Sequence, residues 1–171
     1  MRLGRPSSAL VRWGLLCAAL WLQGCATAPQ FMELGTERAV VEQRLGKPTQ
    51  VHPLSNGTRL QYSGQPMGPE VYNIDLDAQG RVTKITQALV PGHFLQALQV
   101  GVTTQAEVIR ELGTPALVER VARFDGDIWT YRYRDFGTSW FLHVHLDPQG
   151  VLRQIITLEE FSGPSDLGAF H

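Results

Sequence analysis

The stretch Val108-Ile-Arg-Glu-Leu-Gly113-Thr-Pro115 decides the fold, because a close copy, Val41-Glu-Gln-Arg-Leu-Gly46-Lys-Pro48, occurs earlier in the chain. In both copies valine and leucine are spaced four residues apart, which is typical of one helix face. Glycine then favours the left-handed position at which many helices end, and the proline that follows prevents continuation. Each copy therefore predicts the end of a short helix.

Two further matches lie downstream in the same order. Residues 57–62 match residues 126–131, and residues 75–85 match residues 145–155. The spacing changes only between the matched segments, where loops accept insertions. Three matches in one order indicate a tandem duplication.

The sequence of each copy predicts a helix followed by antiparallel strands. In the second copy, Thr104 and Glu107 have the spacing of a capping box at a helix start, which the first copy lacks. Residues 129–134 and 140–146 alternate between apolar and polar side chains, which predicts half-buried antiparallel strands. Residues 77–80 and 147–150 predict hairpin turns, each with glycine where a positive φ is needed. A further helix is expected over residues 92–100.

The N-terminus has the form of a secretory signal. Three arginines and no acidic residue precede an apolar run over residues 13–22 that is too short to span a bilayer. The run ends in Leu22-Gln-Gly-Cys25, which resembles a bacterial lipobox, in which the cysteine is acylated and becomes the new N-terminus. Cys25 is therefore the expected lipidation site, and several acyl chains on one residue would anchor the protein stably. Ala26 follows instead of aspartate, and this resembles the pattern of outer-membrane lipoproteins.

These features predict the organisation of the whole chain. We expect a signal peptide over residues 1–24, a lipidated tether over 25–34, a first repeat over 35–90, a second repeat over 91–160 and a flexible tail over 161–171. The predicted fold class is α+β, built from two tandem repeats of a helix and an antiparallel sheet.

Composition narrows the class of function. The 171 residues are 43% hydrophobic and 18% charged, enough for one domain or two small ones but not for a large multidomain enzyme. The 15 basic and 16 acidic residues argue against a nucleic-acid partner. The two cysteines do not have the spacing of a zinc ribbon or a disulfide scaffold.

The second repeat resembles a known family. It runs Val100-Gly-Val-Thr103, then Leu112-Gly-Thr-Pro115, then Phe124-Asp-Gly-Asp-Ile-Trp129, and closes at Leu146-Asp-Pro-Gln-Gly150. This pattern is similar to the SmpA/OmlA domain of BamE-like outer-membrane lipoproteins, over residues 98–158, with residues 33–87 as a diverged second copy. Tandem copies of this unit also make the fold of β-lactamase inhibitor proteins. The resemblance implies one continuous antiparallel sheet with the helices packed on one face.

Candidate chemical sites are weak in this sequence. His143 and His145 project on one side of a predicted strand, with Asp147 on the same face, but no third clear metal ligand accompanies them. Asp125, Asp127 and Asp135 lie at predicted turns, where aspartate commonly bonds to the local backbone. No catalytic triad order, phosphate-binding loop or nucleophilic cysteine is present. We therefore predict that the protein is not an enzyme and binds no metal or cofactor.

The function predicted from these features is a lipid-anchored protein-interaction module on the periplasmic face of the outer membrane, acting in β-barrel assembly or envelope integrity. The alternative is a periplasmic binding or inhibitor module directed at a hydrolase. The predicted binding surface is the sheet face opposite the helices, with Arg134, Phe136 and Phe141 as partner-binding residues. Aromatic and arginine side chains are the types most enriched at interaction hot spots.

Overall fold

The computed structural model describes residues 28–160, which form two consecutive units of similar build. The first unit contains helix α1 (Arg38–Leu45) and strands β1 (Gln50–Leu54), β2 (Gly57–Ser63), β3 (Val71–Asp77) and β4 (Val82–Gln87). The second contains helices α2 (Pro91–Ala97) and α3 (Gln105–Leu112) and strands β5 (Leu117–Glu119), β6 (Asp127–Asp135), β7 (Thr138–Leu146) and β8 (Leu152–Glu159). A 3-10 turn at Pro29–Phe31 precedes α1.

The strands form two antiparallel sheets, each in simple chain order. Sheet 1 runs β1-β2-β3-β4 and sheet 2 runs β5-β6-β7-β8. The predicted α+β fold of two tandem helix-and-sheet repeats is therefore confirmed. The expectation of one continuous sheet is wrong, because in the described residues no strand of sheet 1 pairs with a strand of sheet 2.

The duplication extends to side-chain contacts. The hydroxyl of Tyr62 donates to the carbonyl of Gly46 at 3.1 Å, and that of Tyr131 donates to the carbonyl of Gly113 at 2.8 Å. In each repeat a strand tyrosine thus bonds to the glycine at which the helix ends. The predicted hairpin turns are also equivalent, since Asp77 and Asp147 each accept from the backbone N–H groups two and four residues further on.

Each repeat has its own apolar core. The first core lies between one face of sheet 1 and the segment made of α1 and the 3-10 turn. Its buried residues are Met32, Val41, Leu60, Ile74, Leu76 and Val82. Met32 belongs to this core although it lies within the predicted tether. The second core is larger and lies between α2, α3 and the inner face of sheet 2, where Phe94 and Tyr131 are fully buried. It also includes three residues of the first repeat, Val71 at the start of β3 and Ala88 and Leu89 after β4.

The helices differ in the way their ends are stabilised. The predicted capping box forms in α3, where Thr104 and Glu107 bond to each other's backbone N–H groups, while Glu37 at the start of α1 makes no side-chain cap. The helix predicted over residues 92–100 ends earlier, at Ala97. It stops because Leu98 is extended and buried in the second core, and because the hydroxyl of Thr103 accepts from the N–H of Gln99.

The second repeat stacks on a face of sheet 1 instead of extending its edge. The face of sheet 1 opposite α1 is polar, and its central strands carry Arg59, Gln61 and Asn73, all buried. These side chains donate to the backbone carbonyls of residues 109–111, in the last turn of α3. Because the last carbonyls of a helix lack partners within the helix, donors from sheet 1 stabilise this end of α3. This stacking explains why the two sheets do not join.

Candidate interaction surface

The outer face of sheet 2 lies on the side away from α2 and α3. Strand alternation places Arg132 and Arg134 of β6 on this face, and Phe141 and His143 of β7 beside them. Both arginines are exposed, while Phe141 and His143 are half-buried. Exposed aliphatic side chains complete the face at its two margins, Leu117 on β5 and Leu158 on β8.

The hairpin between β6 and β7 carries an aromatic residue at its tip. Asp135 pairs with Thr138, so Phe136 and Gly137 form a two-residue turn, and both have positive φ, 44° and 85°. Such turns favour asparagine, aspartate or glycine, because positive φ is costly for a bulky side chain. The Phe136 side chain is fully exposed, with a relative accessibility of 102%. Phe136 therefore belongs to neither apolar core, as is typical of an apolar residue on a hairpin turn.

The predicted partner-binding residues share one hairpin. Arg134 pairs with Ser139 and Arg132 pairs with Phe141, so Arg134 and Phe141 are diagonal neighbours on the outer face. The guanidinium carbon of Arg132 lies 5.7 Å from the centre of the Phe141 ring, within the range of a cation–π contact. The Arg132 side chain also forms an ion pair with Glu160 at 3.2 Å. Within residues 28–160 no ion pair is formed by Arg134.

The two histidines of β7 have different surroundings. His143 Nδ1 lies 2.9 Å from the hydroxyl of Thr130. His145 lies on the same face of the strand as His143, but it is buried beneath Phe124, whose ring meets it edge-on at 5.0 Å. Burial lowers the pKa of both imidazoles, which favours their neutral forms. Within residues 28–160, no group of three or more His, Cys, Asp and Glu side chains is arranged to hold a metal ion.

Two of the acidic residues singled out in the sequence, Asp127 and Asp147, form local ion pairs. Asp127 accepts from Arg120 at 2.5 Å, and Asp147 accepts from Arg153 at 2.6 Å in addition to its turn contacts. The pKa of Asp147 is lowered, chiefly by the hydrogen bond from the backbone N–H of Val151. A cavity of about 430 Å³ lies beside Asp125, Asp127 and Asp147. Of these three, Asp127 forms an ion pair, and Asp147 both forms an ion pair and stabilises its turn.

Sequence reasoning missed a contact that joins the two repeats near this surface. The side-chain amide of Gln65, in the loop between β2 and β3, donates to the carbonyl of Arg132 at 2.6 Å and accepts from its N–H at 3.2 Å. It takes the place of a neighbouring strand at the part of β6 that β5 does not cover. The same loop exposes Met67, with a relative accessibility of 92%. No local sequence signal links Gln65 to Arg132, because they lie in different repeats.

The predicted lipidation site, Cys25, lies outside the described residues, as do the predicted signal peptide and tail. None of the helices in the described range has the length and apolar character needed to cross a membrane.

Comparisons with known proteins give weak similarities. No protein-family model and no curated protein matches the chain. Among solved structures, a DUF4309-family protein, YjgB of Bacillus subtilis, is similar at 17% identity and a TM-score of 0.31, over 80% of this chain and 86% of that chain. A protein of Streptococcus mutans described as a "putative beta-lactamase inhibitor protein" is similar at 13% identity and a TM-score of 0.27, over 90% of this chain and 98% of that chain. Similarities this loose assign neither a family nor a function.

Proposed function

We propose that this protein is a lipid-anchored, non-catalytic protein-interaction module of the bacterial outer membrane, and that it binds its partner through the β6–β7 hairpin and the adjoining outer face of sheet 2. The observation that carries the proposal is Phe136, a fully exposed aromatic residue in a left-handed backbone conformation. A bulky residue in that conformation costs about 1–3 kcal/mol, and such strain is concentrated at functional sites. A turn selected for stability alone would have asparagine or glycine at this position.

The surroundings of Phe136 support a protein partner. Arg134 supplies a charged side chain able to form directed hydrogen bonds, and Phe141 supplies half-buried aromatic surface on the same face. Arginine and aromatic residues are enriched in binding hot spots. The short two-residue turn also holds Phe136 in a defined position, which reduces the entropy lost on binding.

The sequence resemblance supports a choice of partner. We propose membership of the SmpA/OmlA domain family, and a component of the outer-membrane β-barrel assembly machinery as the partner. The lipobox supports attachment to the membrane through Cys25, with the folded repeats on the periplasmic face.

Replacement of Phe136 tests the binding surface. The Phe136→Asn variant removes the aromatic ring and relieves the backbone strain, so its melting temperature should equal or exceed that of the parent protein. Crosslinking in native membranes followed by affinity purification should show loss of the partner recovered with the parent protein. The matched control is Leu95→Gln, which removes an exposed apolar side chain from α2 and should leave the partner bound.

Two outcomes would count against the proposal. Full recovery of the partner with Phe136→Asn would exclude the hairpin from the binding surface. Recovery of a soluble hydrolase with the parent protein, without assembly components, would favour the inhibitor function instead.

Replacement of Cys25 tests the anchor. A Cys25→Ser protein lacks the thiol that receives the lipid, so it should incorporate no labelled fatty acid and should be lost from the outer-membrane fraction. The matched control is Cys17→Ser, inside the predicted signal peptide, which should be labelled like the parent protein. Labelled fatty acid on the Cys25→Ser protein would overturn the lipobox assignment.

A further inference from the structure

The two sheets have four edge strands, and three of them carry features that discourage pairing with another chain. Strand β1 contains Pro53, β4 carries Lys84 in its middle, and β5 is only three residues long. Proline, lysine and short length are the usual means by which proteins protect exposed edges. The fourth edge, β8, is eight residues long, has no proline, and carries no charge between Arg153 and Glu159.

The outer edge of β8 is open over most of its length in the described structure. Only its first residue is covered, since Leu152 donates to the carbonyl of Thr103 and accepts from the N–H of Gly101. The hydrogen bond from the N–H of Glu160 to the carbonyl of Ser139 fixes the alternation beyond that point. It means that Gln154, Ile156 and Leu158 direct their backbone groups to β7, while those of Ile155, Thr157 and Glu159 face outward.

We propose that β8 pairs antiparallel with β8 of a second copy of this chain, around a two-fold axis at Ile156. In this register Ile155 of one copy lies opposite Thr157 of the other, so the outward-facing N–H and carbonyl groups of both residues form hydrogen bonds. The two copies of sheet 2 then form one eight-stranded sheet. The proposal does not depend on the Phe136 surface, because it rests on the backbone groups along the open edge of β8, although Leu158 of β8 also borders the outer face.

The charged and apolar side chains of β8 favour this register and favour a second copy of the chain as the partner. Arg153 of one copy lies opposite Glu159 of the other, and the two-fold axis repeats this juxtaposition of opposite charges. Arg153 also bonds to Asp147 of its own chain, so Glu159 of the second copy would be its second acidic neighbour. On the outer face, Ile156 lies opposite Ile156 of the second copy. Moving the axis to Thr157 would place Glu159 opposite Ile155. Moving it to Ile155 would shorten the paired segment to residues 153–157, because Leu158 would then lie opposite Leu152, which residues 101–103 already cover. The edge is therefore self-complementary in one register.

Cysteine substitution in the full-length protein tests the register directly. Ile156 and its symmetry mate form a non-hydrogen-bonded pair with Cα atoms about 4.5 Å apart, which suits a disulfide. Under mild oxidation in native membranes, Ile156→Cys should form a covalent dimer. Gln154→Cys and Leu158→Cys should not do so singly, since each lies about 13 Å from its own copy along the strand. A mixture of these two variants should form a dimer, because residue 154 of one copy lies opposite residue 158 of the other.

Sedimentation of the full-length protein in detergent, well above micromolar concentration, tests the dimer without oxidation. We expect a dimer that Ile156→Lys dissociates, with an increase of at least tenfold in the dissociation constant, since it places two ammonium groups against each other. Thr157→Pro, which removes an outward-facing N–H, should have the same effect and keep the circular dichroism spectrum of the fold. The proposal is wrong if the parent protein is monomeric, or if Gln154→Cys alone forms as much covalent dimer as Ile156→Cys. In the oxidation experiment, the unsubstituted chain measures any covalent dimer that forms through the native cysteines, Cys17 and Cys25.

Discussion

A single glycine constrains the entry to the second strand of each repeat, Gly57 as the first residue of β2 and Gly126 immediately before β6. Gly57 and Gly126 have φ values of 154° and 147°. A Cβ atom added to Gly57 would lie 1.9 Å from the carbonyl oxygen of Leu76, and one added to Gly126 would lie 2.1 Å from that of Leu146. Because backbone atoms cannot move away as a flexible side chain can, both positions require glycine. The two close approaches are equivalent, and the sequence match at these glycines therefore has a physical cause.

Alanine substitution at these glycines should lower stability by more than about 1 kcal/mol, since a Cβ atom conflicts with both the backbone conformation and the neighbouring carbonyl. The matched control is Gly92→Ala in the first turn of α2, where a Cβ atom meets nothing within 4 Å. That change should be neutral or should stabilise the protein by up to about 1 kcal/mol. Chemical denaturation of Gly126→Ala, Gly57→Ala and Gly92→Ala measures the three free energies of unfolding. Equal values for all three would contradict this account.

At the scale of elements, polar side chains of sheet 1 hold the end of α3. Arg59 makes a two-point contact with Asp75, at 2.6 and 3.0 Å, and reaches Glu111 of α3 at 2.9 Å. The pKa of Glu111 is lowered to about 2, by the neighbouring His93 and by Arg59, against the opposing effect of burial. His93 Nε2 lies 3.8 Å from the carboxylate, beyond hydrogen-bond distance, so Arg59 is the closer partner. A charged Glu111 therefore binds the helix to sheet 1.

This pairing predicts a loss of stability in acid. A carboxyl group whose pKa is lower in the folded protein contributes stability above its unfolded pKa, near 4.5, and loses it as the pH falls toward about 2. The free energy of unfolding should therefore decrease over this window, by about 1–2 kcal/mol from Glu111 after allowance for solvent screening. Denaturation at several pH values should show a smaller decrease for Glu111→Gln than for the parent protein. Glu42→Gln, which removes an exposed pair with Arg38, is the control and should retain the full decrease.

At the scale of the whole molecule, local patterns predicted the elements and not their assembly. Strand alternation, the Asp-to-Gly turns and the capping box of Thr104 depend on neighbouring residues, so the sequence reveals them directly. Stacking of α3 on sheet 1 depends on contacts between repeats, and Gln61 and Asn73 give no sign of it in an otherwise ordinary strand pattern. Exposure of Phe136 followed from its place in a turn, whereas burial of His145 required Phe124 from a distant loop.

The two repeats should not fold independently, because each completes the other. A fragment of residues 91–160 lacks Val71, Ala88 and Leu89 from its core, and the last carbonyls of its α3 lose the donors from sheet 1. A fragment of residues 28–90 exposes the polar face on which Gln61 and Asn73 are buried in the intact protein. Small units also bury too little surface to offset the entropy of folding. We expect neither fragment alone to show a cooperative thermal transition by circular dichroism, and an equimolar mixture to recover one. A cooperative transition in either isolated fragment, at the melting temperature of the intact protein, would show that the contacts between repeats add nothing to its stability.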